Sequence, residues 1–142
     1  MKTDIIMLDF EEDNPQKKMS ISRIGYVARK MRLPIKDAKA WRTSRGIHVR
    51  IWLKETVHPI TAVLIQALMG SDYARETYNA IRVYNLTLHP KRYSKTAEEL
   101  WNVLYYKKIE KGKVTSREMF DSKLTEELRR ELIREGDDEN IN

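Results

Sequence analysis

Two carboxylates one residue apart, Asp9 and Glu11, end the first apolar run of the chain, Asp4 to Phe10. In a strand, the period of two puts both acids on one face, near enough to share a divalent cation. Like charges that close repel unless a cation or a base neutralises them. The plainer reading is a strand entering an acidic, solvated turn that Glu12 and Asp13 extend. A second cluster is Ser44, Arg45, Gly46 and His48. His48 alternates out of phase with Ile47 and Val49, so it leaves the core face. There its imidazole and the amides of the preceding turn could converge on a phosphate. The competing reading is an exposed histidine in a basic strand. Arg50 and Trp52 share its face, and an aromatic ring on an open sheet gives a nucleic-acid base a surface to stack on. Trp52 could equally seat the C-terminal helices or a second subunit. His58 and His89 each precede a proline and read as cap or loop residues, and three histidines so scattered do not spell a zinc site.

The elements that must position these residues follow from periodicity. Ile6, Leu8 and Phe10 point one way from the first strand. Ser20 is placed to cap a helix to about Arg32 with Ile21, Ile24, Ala28 and Met31 as its stripe. Ala38 to Thr43 reads as a short strand, and Ile47 to Lys54 as the cleanest alternation in the chain. Pro59 suits the first turn of a helix carrying Ile60, Val63, Leu64, Ala67 and Leu68, with Gly70 ending it. Ser71 or Asp72 caps a further helix to about Arg82, and Val83 to Leu88 reads as one more strand. Thr96 with Glu99 forms a capping box ahead of Leu100, Trp101, Val103 and Leu104; Trp101 and Trp41 read as core. Tyr105 to Lys108 fits either helix or strand. After Ser116 a last helix uses Phe120, Leu124, Leu128 and Leu132, a stripe that must bury itself on the domain or on a second copy in a homodimer.

The order predicts an α+β fold with an RRM-like or ferredoxin-like sheet, one face covered by helices and one open. Residues 1–90 form the core, 91–135 a helical extension of the same domain, and 136–142 an acidic, disordered tail. The length of 142 residues fits one domain. There is no run of the eighteen or so apolar residues that a membrane span needs, so no membrane partner is expected. Without cysteine there is no disulfide, no thiolate zinc ligand and no thiol nucleophile. Five acids within the first thirteen residues are not the pattern of a secretory signal, and a cytoplasmic chain is expected. No Walker loop, GxGxxG, GxSxG or CxxC is present. The net charge of +6 is unevenly spread: residues 14–54 carry twelve bases and a single acid. Such a block usually serves polyanions, nucleic acid first, although a solvated basic face has the same composition.

Three segments in order resemble the signature of the archaeo-eukaryotic primase superfamily. The first is IIMLDFE, a hydrophobic strand ending in Asp9 and Glu11, where the family has two aspartates. The second is TSRGIHVRIW, with Ser44, Arg45, Gly46 and His48. The third is SDYARETYNAIRVYNLTLH, with Asp72, Arg82 and His89. The resemblance spans about residues 4–90 and implies an RRM-like palm. It also implies Mg or Mn held by Asp9, Glu11 and Asp72, with His48 against the incoming nucleotide. Arg45 and Arg82 would neutralise its triphosphate while the basic block, with Arg50 and Trp52, tracks single-stranded or junction DNA. A small chain of this type also fits a plasmid or virus of archaea. The function expected is a nucleic-acid-binding replication protein with metal-dependent nucleotidyl transfer; the alternative is a non-catalytic nucleic-acid-binding protein on the same fold.

Overall fold

The computed structural model describes residues 2–89, 101–102, 104 and 107–133. In chain order the elements are β1 (Thr3–Glu11), α1 (Ile21–Lys30), β2 (Ile35–Arg42), β3 (Gly46–Val57), α2 (Pro59–Leu68) and α3 (Tyr73–Leu88). Then come β4 (Lys107–Glu110), β5 (Lys113–Arg117), β6 (Met119–Phe120) and α4 (Ser122–Leu132). The main sheet is antiparallel with the order β1-β3-β2-β6, and β4 pairs with β5 in a separate ribbon. Because β3 lies between β1 and β2, the segment β1-α1-β2 is a split β-α-β unit.

Alternation fixes which face is buried. Leu8 stands opposite Val49 and Val49 opposite Ala40; Ile6 stands opposite Ile51 and Ile51 opposite Ala38. All of these are fully buried, and Ile24, Val27 and Ala28 of α1 and Leu124, Leu128 and Leu132 of α4 are buried with them. The two helices therefore cover the apolar face. Ser20 caps α1 by accepting from the Arg23 amide at 3.2 Å. Asp121 caps α4 by accepting from the Leu124 amide at 2.9 Å.

The outer sides of β1 and β2 are capped by hydrogen bonds from neighbouring elements. At β1 the Met7 amide donates to Gln66 Oε1 at 3.0 Å and the Asp9 amide to Ser71 Oγ at 3.0 Å. Arg75 Nη1 donates to the Met7 carbonyl, and the Asp72 amide to the Asp9 carbonyl. At β2 the Ala40 amide donates to Thr125 Oγ1, and β6 takes up Trp41 and Arg42. An exposed strand edge is a template for unwanted pairing, and unpaired backbone groups inside a protein are costly.

Four expectations change. Val83 to Leu88 is not a fourth strand beside β1 but the end of α3, because Glu76, Asn79, Val83 and Leu86 continue a single buried ladder at helical spacing. The fourth strand is β6, on the opposite edge. The stripe of α2 is rotated: Gln66 is fully buried, and Ile60, Leu64 and Leu68 are about half exposed. Gln66 sets that rotation, since its amide serves Met7, Glu76 and Asn102 at once. A buried amide left without partners costs more than an exposed leucine loses. Phe120 precedes α4 and lies half exposed in β6, whereas Leu124, Leu128 and Leu132 pack on the chain's own core. Of the two burials open to this stripe, on the domain or on a second copy, these three leucines take the first. The expected helical extension 91–135 is not helical throughout, because β4, β5 and β6 occupy most of 107–120 before α4; Lys107 and Lys108, which fitted either helix or strand, belong to β4. The capping box at Thr96 and Glu99 and the tail 136–142 lie outside the described residues, as does most of the expected extension between 91 and 106.

Gly46 fixes the register of β1 on β3. It stands opposite Glu11, and a Cβ placed on it would collide with the Phe10 carbonyl oxygen. Gly46→Ala is expected to cost about 2 kcal/mol or more in urea unfolding, because backbone has to move to admit the methyl group. A second expectation concerns acid. Arg129 donates to Asp37 and holds its carboxyl below the ordinary 3.8; the Leu124 amide, then Arg42, do the same for Asp121. A folded-state pKa below the unfolded one adds stability that is complete above the unfolded value and is lost as pH falls through the folded one. Asp121→Ala should therefore cost about 1 kcal/mol at pH 7, as a lost N-cap does. Urea melts between pH 7 and pH 2 should show that difference shrinking below about pH 4, the unfolded Asp pKa.

Candidate functional site

The face of the sheet away from α1 and α4 carries Asp9 and Glu11 from β1, His48, Arg50 and Trp52 from β3, and Lys39 and Trp41 from β2. Register brings the two sequence clusters together. Asp9 stands directly opposite His48, and Glu11 opposite Gly46. His48 Nε2 lies 3.4 Å from Asp9 Oδ1. The Asp9 side chain keeps about a third of its surface exposed, and that of Glu11 somewhat more. The backbone of Asp9 is held on both sides, by Ser71 Oγ and by the Asp72 amide. Its carboxylate therefore projects from a strand that cannot slide.

His48 is less open than alternation suggests. Its side chain is 11% exposed because Glu118, from the turn between β5 and β6, closes over it. Glu118 Oε1 lies 2.7 Å from His48 Nδ1, and the same carboxylate takes both Arg50 nitrogens, at 2.8 and 3.2 Å. The Arg50 guanidinium in turn stacks on Trp41, 4.4 Å from the ring centre. Phe120 meets Trp41 edge-on at 5.9 Å. Trp41 is thus not a core residue but the floor under Arg50. Lys39 Nζ sits 5.7 Å from the centre of the Trp52 ring.

Asp72 lies beside the acid pair, its amide on the Asp9 carbonyl, and its carboxylate is engaged by a helix cap and by Lys17. Oδ1 caps α3 by accepting from the Ala74 and Arg75 amides, and Oδ2 lies 3.4 Å from Lys17 Nζ. The same ammonium is 4.0 Å from Glu11 Oε1. Lys17 therefore already supplies a positive charge between Glu11 and Asp72. Arg82 donates to Asn79 Oδ1 and the Trp101 carbonyl and lies over Tyr78, and His89 is the exposed C-cap of α3. Neither is drawn to His48. His58 caps α2 by accepting from the Ile60 amide. Ser44 and Arg45 occupy the exposed turn before β3, where the Arg45 carbonyl accepts from the Glu12 amide.

The basic block is partly spent on the fold. Lys17, Arg29, Arg42 and Arg50 are in ion pairs, whereas Lys18, Arg32, Lys36, Arg45 and Lys54 face solvent. Behind β1, burial pulls the Arg75 pKa down while the adjacent Glu76 carboxylate opposes the shift. The Arg75–Glu76–Gln66–Asn79–Asn102 hydrogen bonds leave no buried side-chain polar atom unpaired among the described residues.

Sequence reasoning missed Glu118, Lys17, Lys39 and the outward-facing Trp41. Glu118 was hidden by the helix expected after Ser116. Asp121 three residues before Leu124 is a cap signal that would have ended the strand region later and left Glu118 outside the helix.

Among the described residues no group of three or more His, Asp or Glu side chains is arranged to hold a metal ion. Asp9 with Glu11 offers two carboxylates on one face, while the neighbouring Asp72 caps α3 with one oxygen and meets Lys17 with the other. Asp72→Ala should cost about 1 kcal/mol in urea unfolding through the lost cap, and Asp72→Asn only a few tenths, because asparagine caps as well. A cost shared equally by both variants would mean that the charge opposite Lys17, and not the cap, is what Asp72 contributes. In searches beyond the chain itself, no protein-family model, no curated protein and no solved structure matches it.

Proposed function

We propose that the polar face of the sheet binds the phosphates of nucleic acid and of a nucleotide, and that the chain carries out primase-type nucleotidyl transfer there. The observation that supports this reading is the register of β1 on β3. It sets the acid pair Asp9 and Glu11 against Gly46 and His48, two segments far apart in sequence that the resemblance to archaeo-eukaryotic primases requires to be neighbours. The split β-α-β unit supports an RRM-like palm in its first three strands, although the fourth lies on the other edge. Asp9 and Glu11 would hold a Mg or Mn ion. When bound, such an ion stabilises charge that develops on phosphoryl oxygens. His48 donates Nε2–H to a phosphate, Arg45 adds charge from the turn, and Trp52 with Lys39 gives a strand of single-stranded or junction DNA a stacking surface and a cation. Arg50 is paired with Glu118 and braces the face from there.

One observation favours the second reading, a nucleic-acid-binding protein without turnover. Lys17 neutralises Glu11 and Asp72, so the acids have a cation without any metal.

The test pairs thermal melting, with and without Mn²⁺, with incorporation of nucleotides on a primed single-stranded template. The wild type should melt higher with Mn²⁺ and extend the primer. Asp9→Asn should lose both while its metal-free stability stays within about 1 kcal/mol, the range of a partly exposed ion pair. DNA binding that persists in the wild type without any Mn²⁺ shift or incorporation would select the second reading. Under either reading, Arg45→Ala should lower the slope of log affinity against log salt by about one. Binding that is flat between low and moderate salt would sink both.

A further inference from the structure

Glu118 is a nearly buried carboxylate, 8% exposed, that the reading above does not use, and it contacts both His48 and Arg50 at the centre of the face. A carboxylate only accepts hydrogen bonds, so at 2.7 Å the proton between it and His48 belongs to Nδ1. The ring is then fixed with Nε2 turned toward Asp9. Glu118 itself is not free to move, because Arg50 grips both of its oxygens and Trp41 backs Arg50. Bidentate arginine–carboxylate pairs are geometrically specific as well as strong. Glu118 reaches the site from 70 residues beyond His48 in the chain.

We infer that Glu118 is the positioning residue for His48: by accepting a hydrogen bond from Nδ1–H it aims Nε2, which donates to the phosphates of a bound nucleotide through an N–H of its own, with Arg50 and Trp41 as its support. The inference rests on the proposed nucleotide site, and it assigns part of that site to the segment between β5 and β6. A carboxylate behind a functional histidine sets which nitrogen meets the ligand and how the ring is aimed.

Two measurements decide it. The first uses the unaltered protein and no nucleotide: nitrogen-15 spectra of the His48 imidazole should show a proton on Nδ1 that exchanges slowly with water. An Nδ1 without a proton, or one in rapid exchange, overturns the inference. The second is a double-mutant cycle on binding of dATP with Mn²⁺. Glu118→Gln should weaken binding about tenfold when His48 is present, the scale of one hydrogen bond to a charged group. In a His48→Ala background it should weaken binding less than twofold, because the ring it positions is gone. Equal losses in both backgrounds mean that Glu118 acts without His48, and overturn the inference. Should the wild type bind no dATP, the proposed function fails, and the imidazole spectrum alone then decides whether Glu118 fixes the ring.

Discussion

The close approach of β1 to β3 at Gly46 is the constraint on which the rest of the molecule depends. A side chain there would strike the Phe10 carbonyl. With only hydrogen at that point, Glu11 lies against Gly46, and each residue back along β1 finds its partner. Since side chains alternate, a slip of one residue would turn Ile6, Leu8 and Phe10 toward water and Asp9 into the core. The same register thus assembles the apolar face and the polar one, and neither can be altered without the other.

Position along the strand is then held from the side. Gln66, Ser71, Asp72 and Arg75 do for β1 what a neighbouring strand would, supplying hydrogen bonds to residues 7 and 9. This use of side chains explains why α2 sits as it does. An amphipathic stripe is a sound guide when the partner is an apolar surface. Here the partner is the backbone edge of a strand, and the polar Gln66 faces it while Ile60 and Leu64 stay outside.

The first half of the chain was largely legible. The first strand, the helix after Ser20, the turn at Ser44 to Gly46, the strand through His48, the cap at Asp72 and the break at Gly70 follow from alternation, capping chemistry and glycine at φ +92. Legibility failed where tertiary contacts overrule local pattern. Val83 to Leu88 has the β-branched and apolar content of a strand, yet Asn79 and Glu76 bury a polar turn beneath it and carry the helix onward. The candidate site was half legible for a related reason. Asp9, Glu11 and His48 announce themselves by spacing along strands, whereas Glu118, Lys17 and Trp41 acquire their roles only through contacts between separate elements. Asp72, Arg82 and His89 matched a pattern of residue types, but α3 places them at its cap, on its flank and at its end.

The link between His48 and Glu118 also has a consequence for assembly in time. Contacts across long stretches of chain close slowly, and a chain made from its N-terminus offers its early segments first. The strands bearing Asp9 and His48 emerge well before the residue that locks the imidazole, which lies only a short way from the last helix. A growing chain can therefore form most of its core while the face above it is still incomplete. A chain interrupted before residue 118 therefore carries Asp9, Glu11 and His48 without the carboxylate that contacts the imidazole.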